Sequence, residues 1–232
     1  LPLPISRRHF IGGVAGAGAL ALGACGTGQR RAPAIRGSIR VATQLSSTSD
    51  TLDPAKGSSA TDYTRHFMIY SGLTAIEDES LEARPALAQT IASADRRDWF
   101  IDLRRGVRFH DGSELTSADV VHSLLRHKDP AVGSKIANVA EQFEDCRTDG
   151  KYGVRLRLTG PNADLPTILA QSHCLIVKAG QQAPDGTGTG PFRLAEFQPG
   201  VRTVVLRNSE YWIEGRPRLE RVEVIGIPDE VA

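Results

Sequence analysis

The stretch from Trp99 to Leu125 leaves this chain few ways to fold. Trp99, Ile101 and Leu103 alternate with polar neighbours, the period-two pattern of a half-buried strand. The chain then runs through Arg104-Arg105-Gly106-Val107-Arg108-Phe109-His110 into Asp111-Gly112, a strong turn signal. Thr116-Ser117-Ala118-Asp119 places a hydroxyl at a helix start and a carboxylate three residues later, a capping-box analogue. The helix that follows carries Val120, Val121, Leu124 and Leu125 on one side and stops by Pro130. A strand, a turn and a capped helix in direct succession require a sheet and helices in one core.

The remaining segments fit that frame. Ile39 and Val41 alternate with polar residues as a first strand, which runs into the polar loop 46–50. Residues 61–70 read as a helix with Tyr63, Phe67 and Tyr70 on one face. Residues 73–76 read as a short strand, and 84–92 as a helix with Pro85 in its first turn. Val154 to Leu158 alternates as a strand, 165–170 is a short helix, and Leu175, Ile176 and Val177 form a buried run. Residues 192–197 and 204–206 flank Gln198-Pro199-Gly200-Val201 as a hairpin, and 222–225 make a final strand. The order is irregular and strand-rich late in the chain, so the expected class is α/β to α+β with mixed sheets. With 232 residues and 40% hydrophobic content, the chain is long enough for one or two packed domains.

Charge is distributed unevenly. The formal net charge is +1, which does not point to a nucleic-acid binder. Removing Arg7 and Arg8, the only charges before Cys25, from the 28 basic residues leaves 26 against 27 acidic ones. Ser6-Arg7-Arg8-His9-Phe10 resembles the twin-arginine export signal, and the Gly/Ala-rich run that follows is too short and weakly apolar to span a bilayer. Leu22-Gly23-Ala24-Cys25 resembles a bacterial lipobox, with Cys25 as the lipidated thiol. Residues 1–24 are thus expected to be a signal, and residues 25–37 a small, polar, basic tether that includes Pro33.

Several motifs are rejected on context. Gly16-Ala17-Gly18-Ala19-Leu20-Ala21 matches a dinucleotide fingerprint but has no strand before it. Gly186-Thr187-Gly188-Thr189-Gly190 lacks the Lys-Ser/Thr of a phosphate loop, and Pro191 follows where a helix must start. Neither a nucleophile-elbow motif nor a zinc motif is present, so no catalytic, metal or cofactor site is expected. Cys146 and Cys174 leave two readings open, a disulfide in an oxidising compartment or two buried free thiols. Tyr211 and Trp212 are read as packing residues.

Two ordered blocks carry a resemblance. Residues 99–123 are similar to an F-x-L-R-x-G-V-x-F-H-D-G turn leading to L-T-A-x-D-V. Gly188-Thr189-Gly190-Pro191-Phe192, with Leu206-Arg207-Asn208 and Tyr211-Trp212, is similar to a G-T-G-P-Y strand followed by R-N-x-x-Y-W. Leu52-Asp53-Pro54 and Tyr70-Ser71-Gly72-Leu73 also match. Over residues 39–229 the chain thereby resembles the family 5 solute-binding proteins of peptide and nickel ABC transporters. The resemblance implies a periplasmic-binding-protein type II-like lobe I over residues 38–232, with mixed sheets and the second lobe absent. It implies an extracytoplasmic, lipid-anchored solute-binding component of an ABC importer that works with permease subunits, with peptide as the expected solute. Capture by hinge closure needs no chemistry, so the chain is expected not to be an enzyme. It also implies that the loop after the first strand, Ser46, Ser47, Thr48, Ser49 and Asp50, lines the ligand cleft, while His110-Asp111 sits in a structural turn. The competing readings are an exported non-catalytic lipoprotein adaptor and, behind it, a periplasmic hydrolase.

The address residues give the first test. Arg7→Lys with Arg8→Lys keeps the charge but removes the planar guanidinium forks, and twin-arginine-dependent export is expected to be lost. Cys25→Ala is expected to abolish incorporation of labelled palmitate. Undiminished export of the double variant, or labelling of the Cys25 variant, overturns the corresponding assignment.

Overall fold

Cross-strand pairing of apolar side chains builds the larger core. In β5 (Asp98–Leu103), Trp99, Ile101 and Leu103 are buried while their neighbours face outward, and β7 (Gly153–Leu158) does the same with Val154, Leu156 and Leu158. The antiparallel register sets Trp99 opposite Leu156 and Ile101 opposite Val154, so both apolar rows lie on one face of the sheet. The computed structural model describes residues 37–44, 46–181 and 183–227. Arg7, Arg8, Cys25 and the tether up to residue 36 lie outside the described residues.

Ten strands form three sheets among the described residues. The first has the order β1-β10-β9-β8, from β1 (Ser38–Thr43), β8 (Phe192–Gln198), β9 (Arg202–Arg207) and β10 (Arg221–Gly226). In it β1 runs parallel to β10 and the other pairs are antiparallel, so this sheet is mixed. The second has the order β4-β5-β7-β6, with β4 (Ala88–Ala92) and β6 (Phe143–Asp149) at its edges. A two-stranded ribbon pairs β2 (Thr74–Ile76) with β3 (Ala83–Pro85). Four α-helices, α1 (Ala60–Ile69), α2 (Ser117–Leu125), α3 (Ala137–Ala140) and α4 (Leu165–Ile168), and four single-turn 3-10 helices complete the described fold. One apolar cluster joins the second sheet to α2, with Phe109, Leu115, Val120 and Leu124 among its members. A smaller cluster joins α1 to the first sheet through Ile69, Tyr70, Val205, Val222 and Val224.

The start of α2 follows the expected signal. Asp119 Oδ2 accepts from the Thr116 N–H at 2.8 Å and from the Thr116 hydroxyl at 2.9 Å, while its Oδ1 accepts from the Ala179 N–H at 2.9 Å. The carboxylate thus starts the helix and pins the segment after Leu175, Ile176 and Val177 to it.

Two expectations are corrected and one strand is added. Residues 84–92 do not form a helix but the strands β3 and β4. The N–H groups of Ala86 and Leu87 bond to the Leu73 and Gly72 carbonyls, and β4 pairs with β5. A helix this short is marginal on its own, whereas the open edge of β5 supplies a full ladder. The strand β6 was not apparent in the sequence. A register shift between Phe143 and Asp145 puts its buried residues, Phe143 and Cys146, three apart and breaks the period of two. Of Tyr63, Phe67 and Tyr70 only Tyr70 is buried. Phe67 is 49% exposed, and Asp62, Arg65, His66 and Ile69 point inward. Cys146 and Cys174 are both free and buried, and burial pushes each thiol up to about 12.

Two buried histidines make the fold sensitive to acid. His66 donates through Nε2 to the Thr51 carbonyl at 2.9 Å, and His127 Nδ1 lies 2.8 Å from the Ser134 hydroxyl. Burial pushes both down to about 4, against 6.5 for an ordinary histidine. Arg65 beside His66, and Arg126 and His173 beside His127, act in the same direction; for His66 burial outweighs the opposing Thr51 bond and Asp62, and for His127 the opposing Asp53. The unfolded chain therefore takes up these protons first as pH falls, so stability is full above 6.5 and is lost progressively toward about 4. Urea unfolding across that window is expected to show a falling midpoint, and His66→Gln with His127→Gln is expected to flatten the slope. An unchanged slope in the double variant overturns this account.

Candidate functional site

The polar loop after β1 is held by a guanidinium buried beneath it. Ser59 caps α1 by accepting the Asp62 N–H at 3.1 Å, and the helix then presents Asp62, Arg65, His66 and Ile69 to the interior. Arg65 is 2% exposed and uses its whole fork. Its Nη2 donates to Asp50 Oδ2 at 3.0 Å, and its Nη1 to Asp62 Oδ1 at 2.6 Å and to the Thr51 carbonyl at 3.2 Å. Its Nε donates to the Thr203 hydroxyl on β9 at 2.8 Å, and the guanidinium lies 4.7 Å from the ring centre of Phe197 on β8. Asp62 also accepts the Thr51 and Ser58 N–H groups, each at 3.1 Å. Burial alone would raise its pKa, but those donors and Arg65 outweigh it and hold the carboxyl below its usual range.

The expected site residues divide into anchors and an exposed apex. Asp50 is buried, and its Oδ1 accepts the Ser47 N–H at 3.1 Å while its Oδ2 accepts the Gly200 N–H at 3.4 Å. Its carboxylate is thus turned inward, onto Arg65. Ser46 is half-buried with its hydroxyl 3.4 Å from that of Thr43, and a Cβ on Gly226 would stand 2.5 Å from its own Cβ. Ser47, Thr48 and Ser49 are exposed, with the Ser47 and Ser49 hydroxyls 2.6 Å apart. Gly200, in the β8–β9 turn at φ 75°, lets the hairpin approach so closely that a Cβ would lie 3.0 Å from the Ser47 carbonyl carbon.

A second turn is wired to the same helix. A Cβ on Gly188 would lie 2.0 Å from the Ile69 carbonyl oxygen, so only glycine fits against the end of α1. The Gly188 N–H donates to His110 Nδ1 at 3.3 Å, which puts the imidazole proton on Nε2, donating to the Gly190 carbonyl at 3.0 Å. Burial, with Arg193 nearby, keeps His110 below the usual histidine range. Tyr70 joins the two turns, donating its hydroxyl to the Leu52 carbonyl at 3.0 Å and accepting the Gly186 N–H at 3.2 Å. His110 therefore organises backbone, and Asp111 beside it pairs with Lys178. Among the described residues, no three His, Cys, Asp or Glu side chains converge as a metal-ligand set.

The sequence reading missed Arg65, Thr203 and Gly200. Asp62, Arg65, His66 and Ile69 recur at the spacing of a buried helical face, but three of the four are polar, so an apolar search passes over them. The opposite charges of Asp62 and Arg65, three apart, were the available signal. What the arrangement offers chemically is a row of exposed hydroxyls and loop backbone on a stiff mount, suited to hydrogen bonding.

A family model described as bacterial extracellular solute-binding proteins, family 5 Middle, matches residues 82–232. The HTH-type transcriptional regulator SgrR of Pectobacterium atrosepticum is 30% identical over 167 residues, 70% of this chain and 29% of that protein. The oligopeptide-binding protein AppA of Bacillus subtilis is 28% identical over 178 residues, 70% of this chain and 32% of that protein. Among solved structures, the PBP AgaA in complex with agropinic acid, from A. tumefacien R10, superposes with a TM-score of 0.76 at 27% identity, covering 82% of this chain and 40% of that one. The chain thus spans between 29% and 40% of the length of these relatives. With its mixed and antiparallel sheets, its glycine turn locked by His110 and this match over most of its length, the chain belongs to the bacterial extracellular solute-binding proteins, family 5.

Proposed function

We propose that the chain is part of the extracytoplasmic solute-binding component of an ABC importer, that a peptide is the solute, and that Ser46 to Ser49 contact it. The observation that carries this reading is the exposed Ser47-Thr48-Ser49 apex on a loop fixed from below by Asp50 and Arg65. Hydroxyls both donate and accept, so they pair with the N–H and C=O groups of an extended peptide whatever its side chains. A pre-set loop lowers the ordering cost of binding. The likeness to AppA, an oligopeptide-binding protein, supports peptide as the class. Export directed by Arg7 and Arg8, and a lipid on Cys25, would hold the protein on the outer side of the membrane beside its permease subunits. That address favours an importer component over a regulator such as SgrR, because DNA lies on the other side of the membrane. In this reading the protein performs no catalysis, and recognition comes from closure of two lobes around the ligand.

The test is calorimetry with a pool of short peptides, on residues 26–232 and on the product of the complete reading frame. One lobe buries only part of a ligand, so residues 26–232 alone are expected to give no micromolar isotherm, and the complete product a saturable one. Ser47→Ala with Ser49→Ala is expected to weaken peptide affinity by about 1 kcal/mol for each bond lost, some fivefold each, with unchanged circular dichroism. Equal affinity in the double variant removes the loop from the site. Saturation by agropinic acid and not by peptides overturns the peptide assignment.

A further inference from the structure

Most arginines of the described residues are matched to carboxylates, as in the Arg126–Asp53 pair and the Arg202–Glu196 pair. Arg104 and Arg105, which follow β5, are not: among the described residues, neither guanidinium has an acidic group within 4.0 Å. Both line a cavity of about 650 Å³ together with Gln89, Asp102, Gly106, Val107 and Trp212. Arg104 is fixed by its Nε, which donates to the Ala86 carbonyl at 2.6 Å, and its guanidinium lies 5.5 Å from the Trp212 ring centre. Its terminal nitrogens make no hydrogen bond among the described residues. Arg105 is exposed and lies 5.6 Å over the Tyr152 ring. Trp212 lines the cavity beside Arg104. A second cavity of about 400 Å³ shares Asp102 and Arg105 with the first.

Two guanidinium groups without a carboxylate partner thus line this cavity. Two adjacent planar forks without carboxylate partners are the geometry that recognises carboxylates and phosphates. The only acidic side chain in the lining, Asp102, leaves the cavity one positive charge in excess. We propose that this cavity binds an oxyanion, a carboxylate or phosphate group carried by a small molecule, held by Arg104 and Arg105 with Trp212 as its wall. It shares no residue with the loop 46–50, and it stands or falls independently of the peptide reading.

The test is calorimetry of the chain with inorganic phosphate and, separately, with citrate, at constant ionic strength maintained with chloride. Saturable binding of at least one anion is expected. Arg105→Ala is expected to weaken it about tenfold, the worth of one charge-assisted hydrogen bond, and Arg105→Lys by less. Asp102→Asn is expected to tighten it, a change that a merely structural role would not produce. Circular dichroism and melting of these exposed variants are the control for folding. Binding of phosphate alone assigns the site to phosphates, and binding of citrate alone assigns it to organic carboxylates. No saturation by either anion in the low millimolar range, or binding indifferent to both Arg105→Ala and Asp102→Asn, overturns the proposal.

Discussion

The buried guanidinium of Arg65 is the joint on which the region around β1 depends. It ties the loop after β1 through Asp50 and Thr51, its own helix through Asp62, β9 through Thr203 and β8 through Phe197. Two buried carboxylates, Asp50 and Asp62, pair with this cation and take backbone N–H donors besides. Removing such a partner leaves uncompensated charge inside the protein and costs about 3–5 kcal/mol, a large part of the roughly 5–15 kcal/mol that holds a domain together. The pair does not by itself imply high stability, because desolvation offsets most of the attraction. Its consequence is geometric: the loop has one place to be.

A second joint works through backbone. Gly188 and Gly190 bring their turn against the end of α1 where any Cβ would collide, and His110 binds that turn from the other side through both ring nitrogens. Tyr70 spans from this turn to the segment after the serine loop. The smaller apolar cluster under the first sheet and the polar network above it therefore share one helix. The larger cluster reaches the same region through the segment that Asp119 pins to α2.

This division suits a binding protein. Polar groups that are buried spend their hydrogen-bonding capacity on position, while Ser47, Thr48 and Ser49 face solvent, the Ser47 and Ser49 hydroxyls bonded to each other. Arg104 and Arg105, just past the end of β5, show the complementary case, cations kept out of ion pairs in a fold that pairs most other arginines.

The sequence alone determined the elements whose signal is local. The alternation in β5 and β7, the Asp111-Gly112 turn, the Thr116–Asp119 start of α2 and the β8–β9 hairpin are each written in adjacent residues, and the ordered blocks that carry the family likeness sit on them. Residues 46–50 were legible as a loop of hydroxyls, but not that Asp50 turns inward. What tertiary structure decided is what depends on partners distant in sequence. Residues 84–92 became strands because β5 offered an edge, β6 was hidden by a shift in register, and α1 turned its polar face inward because Asp50 and Thr203 were there to meet Arg65. A buried charge is legible only with its partners, and while Asp62 is three residues from Arg65, Asp50 and Thr203 lie 15 and 138 residues away along the chain.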